Sequence, residues 1–318
     1  REKATSNICT AQVLLAVMAG MYAVYHGPAL LKKIAEKIHN QTVLLDKILK
    51  SMGFVQLNKY YFDTLKIDLT DDAGRLEELK KISESHKINF RYFDNAAGIS
   101  ISEITDMNDI KEIAEVFAEF KGIKLPDTGD INIENENSFP AEIKRTSSFM
   151  THPIFNSHHT ETELLRYMKG LENKDLSLTT SMIPLGSCTM KLNATAEMVG
   201  ISFPEFSDMH PFAPKDQAEG YKIIIDELSK DLSEITGFHS ISMQPNSGAQ
   251  GEYAGPMVIR QFHLNNGDTH RNICLIPSSA HGTNPASAVM AGMKVVVVSS
   301  DSNGNINVED LKNKAELH

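Results

Sequence analysis

Pro245-Asn246-Ser247-Gly248-Ala249-Gln250-Gly251-Glu252 stands between two stretches of different periodicity. Before it, Ile241 to Met243 reads as a strand. After it, Ala254, Met257, Val258 and Phe262 recur at helical spacing, predicting a helix from about Gly248 to Phe262. A strand that turns through small residues into a helix offers unpaired backbone N–H groups and the positive end of the helix dipole. Ser247, Gly248 and Ala249 are therefore candidates to hold a phosphate. The same residues also suit a plain strand-to-helix turn capped by the serine.

Beyond that helix, Ile273 to Ile276 and Lys294 to Ser299 read as further strands, giving β-α-β-β. The unbroken apolar run Val295 to Val298 predicts a parallel strand covered on both faces. Ser278-Ser279-Ala280-His281-Gly282-Thr283-Asn284-Pro285-Ala286-Ser287 follows the first of these strands, at the sheet edge where open α/β folds bind ligands. There His281 can stack on a flat heteroaromatic ring or shuttle protons, and Thr283 and Asn284 can bond a carboxylate or a ring substituent. A capped loop that starts another helix is the alternative. Met182 to Asn193 is turn-rich and polar, and Ser187, Cys188 and Thr189 are candidates to line a site. His152, His158 and His159, with Glu161 and Glu163, lack a metal-site motif, so no metal is expected.

The chain reads as follows on the N-terminal side. Val13 to Tyr25 is apolar on nearly every face and predicts a helix buried on all sides, ended by Gly27-Pro28. Leu31, Ile34, Ile38, Leu45, Ile48 and Met52 form the stripe of a second helix, with Gly53 at its C-terminal cap. A β-α-β-β-α unit follows. Its strands contain Leu65, Ile67 and Leu69, then Ile88, Phe90 and Tyr92, then Ile99 and Ile101. Its helices run through Leu76, Leu79 and Ile82, and through Ile110 to Phe120 behind Thr105 and Asp106 as caps. Residues 123–146 are polar, acidic and turn-rich, the best domain boundary. Past them come an irregular stretch from Phe149 to His159, a short helix from Glu161 to Leu171 and a long one from Asp216 to Thr236.

The chain has 318 residues, 41% of them apolar and 23% charged, which excludes a disordered or fibrous chain. The formal charge of −10 argues against nucleic acid as a partner. The longest apolar run is too short for a bilayer, so no membrane span is expected. Three widely spaced cysteines suit reduced thiols. The start at Arg1 without a leader, and the finish inside a helical pattern, raise the expectation of an internal piece of a longer protein.

The strings Met182 to Asn193, Gln244 to Gly255 and Ser279 to Ser287, together with Arg1 to Gln12 and Thr151 to Tyr167, closely resemble the glycine cleavage system P-protein family. The resemblance implies an α/β fold of the aspartate-aminotransferase-like, pyridoxal-phosphate fold type I class. It implies closing helices of a first-half large domain and a bridging helix at 1–53, a small α+β domain at 54–125 and a linker at 126–146. An arm and site-lining loop at 147–200 and an incomplete cofactor-binding large domain at 201–318 follow. It implies pyridoxal 5'-phosphate as cofactor, with Ser247, Gly248 and Ala249 on its phosphate, His281 on its ring, Thr283 and Asn284 shaping the site, and Ser187, Cys188 and Thr189 at the entry. The implied activity is aminomethyl-transferring glycine dehydrogenase, an oxidoreductase that releases CO2 from glycine and passes the aminomethyl group to the lipoyl group of a carrier (H) protein. Implied partners are that carrier, the other glycine cleavage proteins and a second copy in a homodimer. Implied locations are the cytoplasm of a bacterium or the mitochondrial matrix of a eukaryote. The family's Schiff-base lysine lies downstream of the Ala280-His281-Gly282 string in a context that Lys294, Lys312 and Lys314 do not share, so no catalytic residue is assigned and the piece alone is expected to be inactive. The alternatives are a non-catalytic scaffold half that docks partner proteins, and a pyridoxal enzyme for another amino acid.

Overall fold

The computed structural model describes residues 13–127, 141–174, 180, 182 and 194–318. It is a mixed α/β structure with small sheets, divided into two compact units, Met18–Met182 and Ile183–His318 with the first residues of the chain. Among the described residues no helix is long and apolar enough to cross a membrane.

Helix α1 (Val13–Ser51) breaks at Gly27, whose φ of 60° and ψ of 177° lie outside the helical region. Pro28 supplies the cause, since it lacks an N–H and forces the residue before it away from helical angles. A Cβ at Gly27 would stand 2.5 Å from the Phe155 carbonyl oxygen and 2.8 Å from His159 Cε1, so the close approach of the 153–159 segment also demands glycine. The segment before the break is helical as expected, but it is not buried on all sides. Leu15, Val17 and Met18 are exposed and, from Leu15 to Tyr25, only Val24 is buried, because just one side of the helix meets other described residues. The second half is buried more completely than a stripe, with every residue from Gln41 to Asp46 inside. Gly53, at φ 84°, closes it as predicted.

The β-α-β-β-α unit is present: β1 (Thr64–Asp68), α2 (Leu76–Ser85), β2 (Arg91–Phe93), β3 (Ala96–Ser100) and α3 (Met107–Lys121). The strands lie antiparallel in the order β1-β3-β2. Leu65, Ile67 and Ile99 of the sheet meet Leu79 of α2, Ile110, Phe117 and Phe120 of α3, and Leu45, Ile48 and Leu49 of α1 in one core. The Phe54 and Phe117 rings meet edge to face at 5.0 Å. Two local expectations change. Ile88 does not begin a strand, because its N–H bonds the Ser83 carbonyl while Lys87, at φ 60°, reverses the chain, a C-terminal helix closure that spends these residues. Asp106 alone caps α3, accepting from the Asn108 and Asp109 N–H groups at 2.7 and 3.0 Å, whereas the Thr105 hydroxyl accepts from Ser102 N–H. Helix α4 (Glu161–Glu172) starts behind a Thr160–Glu163 capping box.

The other unit has two short helices, α5 (Thr195–Val199) and α6 (Pro204–Ser207), then α7 (Glu219–Thr236), α8 (Gly248–Asn265), β4 (Ile273–Pro277), α9 (Thr283–Met290), β5 (Lys294–Val298) and α10 (Val308–Leu317). β4 and β5 pair in parallel, which requires a crossover, and α9 supplies it where the sequence suggested two strands in succession. Ile241 to Met243 forms no strand, since β4 and β5 pair only with each other among the described residues and offer it no ladder. Nor is β5 covered on both faces: Val298 is buried, but Val297 is 55% exposed.

Candidate functional site

The parallel pair β4-β5 brings two loop-to-helix junctions to its C-terminal edge. That edge is pinned by the Ser278 N–H donating to the Val298 carbonyl at 2.8 Å and by the Ser278 and Ser300 hydroxyls at 3.0 Å. The first junction enters α8. Ser247 is its N-cap in extended geometry, and its Oγ accepts from the Gln250 N–H at 3.2 Å. The Gln250 side chain reaches back to accept from the Asn246 N–H at 2.9 Å, so the loop is closed by reciprocal bonds. Gly248 and Ala249 occupy the first turn, where no carbonyl lies behind their N–H groups in the helix. A Cβ at Gly248 would meet nothing within 4 Å, so there is open space beside this first turn. An anionic phosphate fits that space and that field.

The second junction enters α9. Ala280 N–H donates to the Pro277 carbonyl at 2.9 Å and Asn284 N–H to the His281 carbonyl at 3.0 Å, forming a tight turn. His281 Nδ1 accepts from the Thr283 N–H at 3.2 Å, which fixes the exposed imidazole and leaves Nε2 as the protonated nitrogen of the neutral ring. Thr283 is buried, as are Ser287 and Ala288 one turn further on.

One contact ties the junctions together. The Asn284 side-chain amide donates to Glu252 Oε1, one turn into α8. Glu252 also bears on Cys274 of β4, whose thiol is pushed up chiefly by burial and further by this carboxylate. No role for Glu252 was legible in the sequence. Its only sequence signal was an acid one turn into a predicted helix, and its partner lies 32 residues away.

Ser187, Cys188 and Thr189 lie outside the described residues. The histidines of the 150s are engaged locally: His152 Nδ1 caps Ile154 N–H at 3.2 Å, His159 Nδ1 lies 2.7 Å from the Tyr25 carbonyl, and His158 stacks on Tyr167 at 4.6 Å. Lys314 bonds Asp310 and the Val297 carbonyl, and Lys294 opens β5 at the opposite end from the site.

Comparison with known proteins gives a consistent result. A family model described as Glycine cleavage system P-protein matches residues 1–117. The whole chain is similar to proteins named glycine dehydrogenase (decarboxylating). It is 57% identical over 323 residues to that of Nostoc punctiforme and 57% identical over 319 residues to that of Christiangramia forsetii. It is 52% identical over 318 residues to that of Photobacterium profundum. Each match covers 100% of this chain and 33% of the relative, so the chain spans about a third of the length of these curated relatives.

Proposed function

Because the chain belongs to the glycine cleavage system P-protein family, we propose that it is part of a pyridoxal-phosphate-dependent glycine decarboxylase and supplies the phosphate cradle and ring cover of the cofactor site. The observation that carries the reading is the Glu252–Asn284 bond, which holds two ligand-type junctions at one sheet edge. When bound, the pyridine ring supplies an electron sink for the pair left behind as the glycine carboxylate departs as CO2. In the longer protein the carbon that loses its carboxylate would then bond one sulfur of a carrier protein's lipoyl disulfide, whose S–S bond opens and whose other sulfur takes up a proton.

The chain's own residues bind and orient. The amides of Gly248 and Ala249 take the phosphate, while Ser247 holds the loop in shape through Gln250. His281, fixed through Nδ1, would cover the ring, with its Nε2–H available to donate. Thr283 and Asn284 set the wall beside it, and Ser187, Cys188 and Thr189 line the entry. The lysine that anchors the cofactor belongs to another part of the longer protein, so the piece alone does not turn over glycine. In this reading 1–53 and 54–125 close the first of two fold type I halves, 126–146 links them, and 147–200 and 201–318 open the second, in a homodimeric enzyme.

The experiment is Gly248→Asp in the longer protein that carries this sequence. The open space accepts the side chain, and an acid at a helix N-terminus does not harm the helix. The carboxylate instead repels the phosphate, so pyridoxal-phosphate affinity falls by about tenfold or more, read by equilibrium dialysis and by the absorbance of the bound cofactor. Unchanged affinity overturns the cradle. Glycine–bicarbonate exchange with and without lipoylated carrier tests the substrate.

A further inference from the structure

The solvent face of the three-stranded sheet in the Met18–Met182 unit carries a second arrangement of ligand-type groups. Register places Lys66, Gly98 and Arg91 in one row across β1, β3 and β2, and Asp68, Ala96 and Phe93 in the next. Leu65 and Ile67 alternate with these residues on β1 and point into the core, so this row faces out. A Cβ on Gly98 would come within 3.2 Å of Phe93 Cε2 and 3.3 Å of Arg91 Cβ. Glycine at the middle strand therefore lets the Phe93 ring lie across the sheet, 40% exposed. Lys66 Nζ stands 4.8 Å and Arg91 Cζ 5.6 Å from its centroid.

Among the described residues neither cation forms an ion pair, although Asp68 and Asp94 line the same cleft. Asp68 is already turned toward Thr70, accepting from its N–H and hydroxyl at 2.9 and 2.6 Å, which keeps the carboxyl below the usual range. These groups line an open cleft of about 550 Å³.

We propose that this face binds a mononucleotide. The base stacks on Phe93, the phosphate draws Lys66 and Arg91 off the ring into charge-assisted bonds, and Asp68 and Asp94 accept from sugar hydroxyls or a base amino group. Exposed cation–π contacts are weak enough to be exchanged for a phosphate. Each part of the ligand answers a group of the cleft: a planar ring for Phe93, an anion for the two cations, hydroxyl donors for the two carboxylates. A bare phosphate leaves the ring and the carboxylates unused, and an acidic peptide sets its own carboxylates against Asp68 and Asp94.

Equilibrium dialysis of the chain with adenosine monophosphate, adenosine and inorganic phosphate tests this. The monophosphate binds saturably at sub-millimolar concentration, and the two fragments bind weaker by about tenfold or more. Phe93→Ala weakens monophosphate binding about tenfold and Phe93→Tyr restores it. Arg91→Gln weakens the monophosphate but not adenosine, and Arg91→Lys recovers part of the loss. Wild-type protein without saturable binding at millimolar monophosphate overturns the site. So does inorganic phosphate binding as well as the nucleotide, or a Phe93→Ala protein with an unchanged urea midpoint that binds as wild type does.

Discussion

Glu252 performs two tasks that can be separated by substitution. Its Oε1 accepts from Asn284, and its charge raises the Cys274 thiol. Glu252→Gln keeps an acceptor for the amide and removes the charge, so the thiol pKa falls toward its ordinary value. Alkylation of Cys274 at mildly alkaline pH then speeds up about twofold, followed by peptide mass spectrometry. An unchanged rate places the whole shift in burial. Gly27 is a residue of a different kind, fixed by backbone angles and by the Phe155 carbonyl. Gly27→Ala adds a Cβ where there is neither conformational nor steric room and costs about 2 kcal/mol or more. A lower urea midpoint and faster proteolysis between residues 147 and 160 report it. Gly27 was legible because Gly-Pro is a local breaker. Glu252 was not, because its partner is set by where two helices end in space.

Helix and strand existence followed local periodicity closely. The 3.6-residue spacing found α2, α3, α4, α7 and α8, and alternation found β1 and β3. The expectations that failed were those that depended on neighbours. A strand at Ile241 to Met243 needs a ladder, and Ile88 had a helix closure competing for its N–H. Two elements carry testable termini. Asp106 satisfies two N–H groups of α3 and Asp109 returns a bond to the Asp106 N–H at 2.8 Å. Asp106→Ala therefore lowers stability by about 1 kcal/mol in urea unfolding. At the other end of the chain, Asp310 binds Lys314 and both the N–H and hydroxyl of Ser299, tying α10 to the end of β5. The Lys314 bond, then those from Ser299, lower its pKa to about 2. The folded value lies below the unfolded one, so the clamp contributes above about pH 4 and is lost as the pH falls toward 2. The carboxyl carbon of Asp310 followed by NMR shows that low midpoint, and Lys314→Met moves it upward.

Across the whole molecule, burial is divided unequally between the two units. The contiguous core of Leu45, Ile67, Phe117 and their neighbours lies within Met18–Met182. In the other unit α7 and α8 have no buried residue, and Ile224, Leu228, Ile235, Val258 and Phe262 are each more than 40% exposed. Buried apolar area is the main source of resistance to local opening, so the units differ in protection before they differ in secondary structure. Hydrogen–deuterium exchange of the chain gives the slowest amides in β1, β3 and α3 and fast exchange through α7 and α8, despite the length of those helices. Their bare apolar faces also bind an amphiphilic dye such as anilinonaphthalene sulfonate, which the core-bearing unit excludes. In the longer protein that contains this sequence, protection of α7 and α8 rises and dye binding falls, because additional chain covers those faces. Equal protection of α7 and α3 in the chain alone means that the exposed apolar faces are covered by self-association, and its dependence on protein concentration identifies that state.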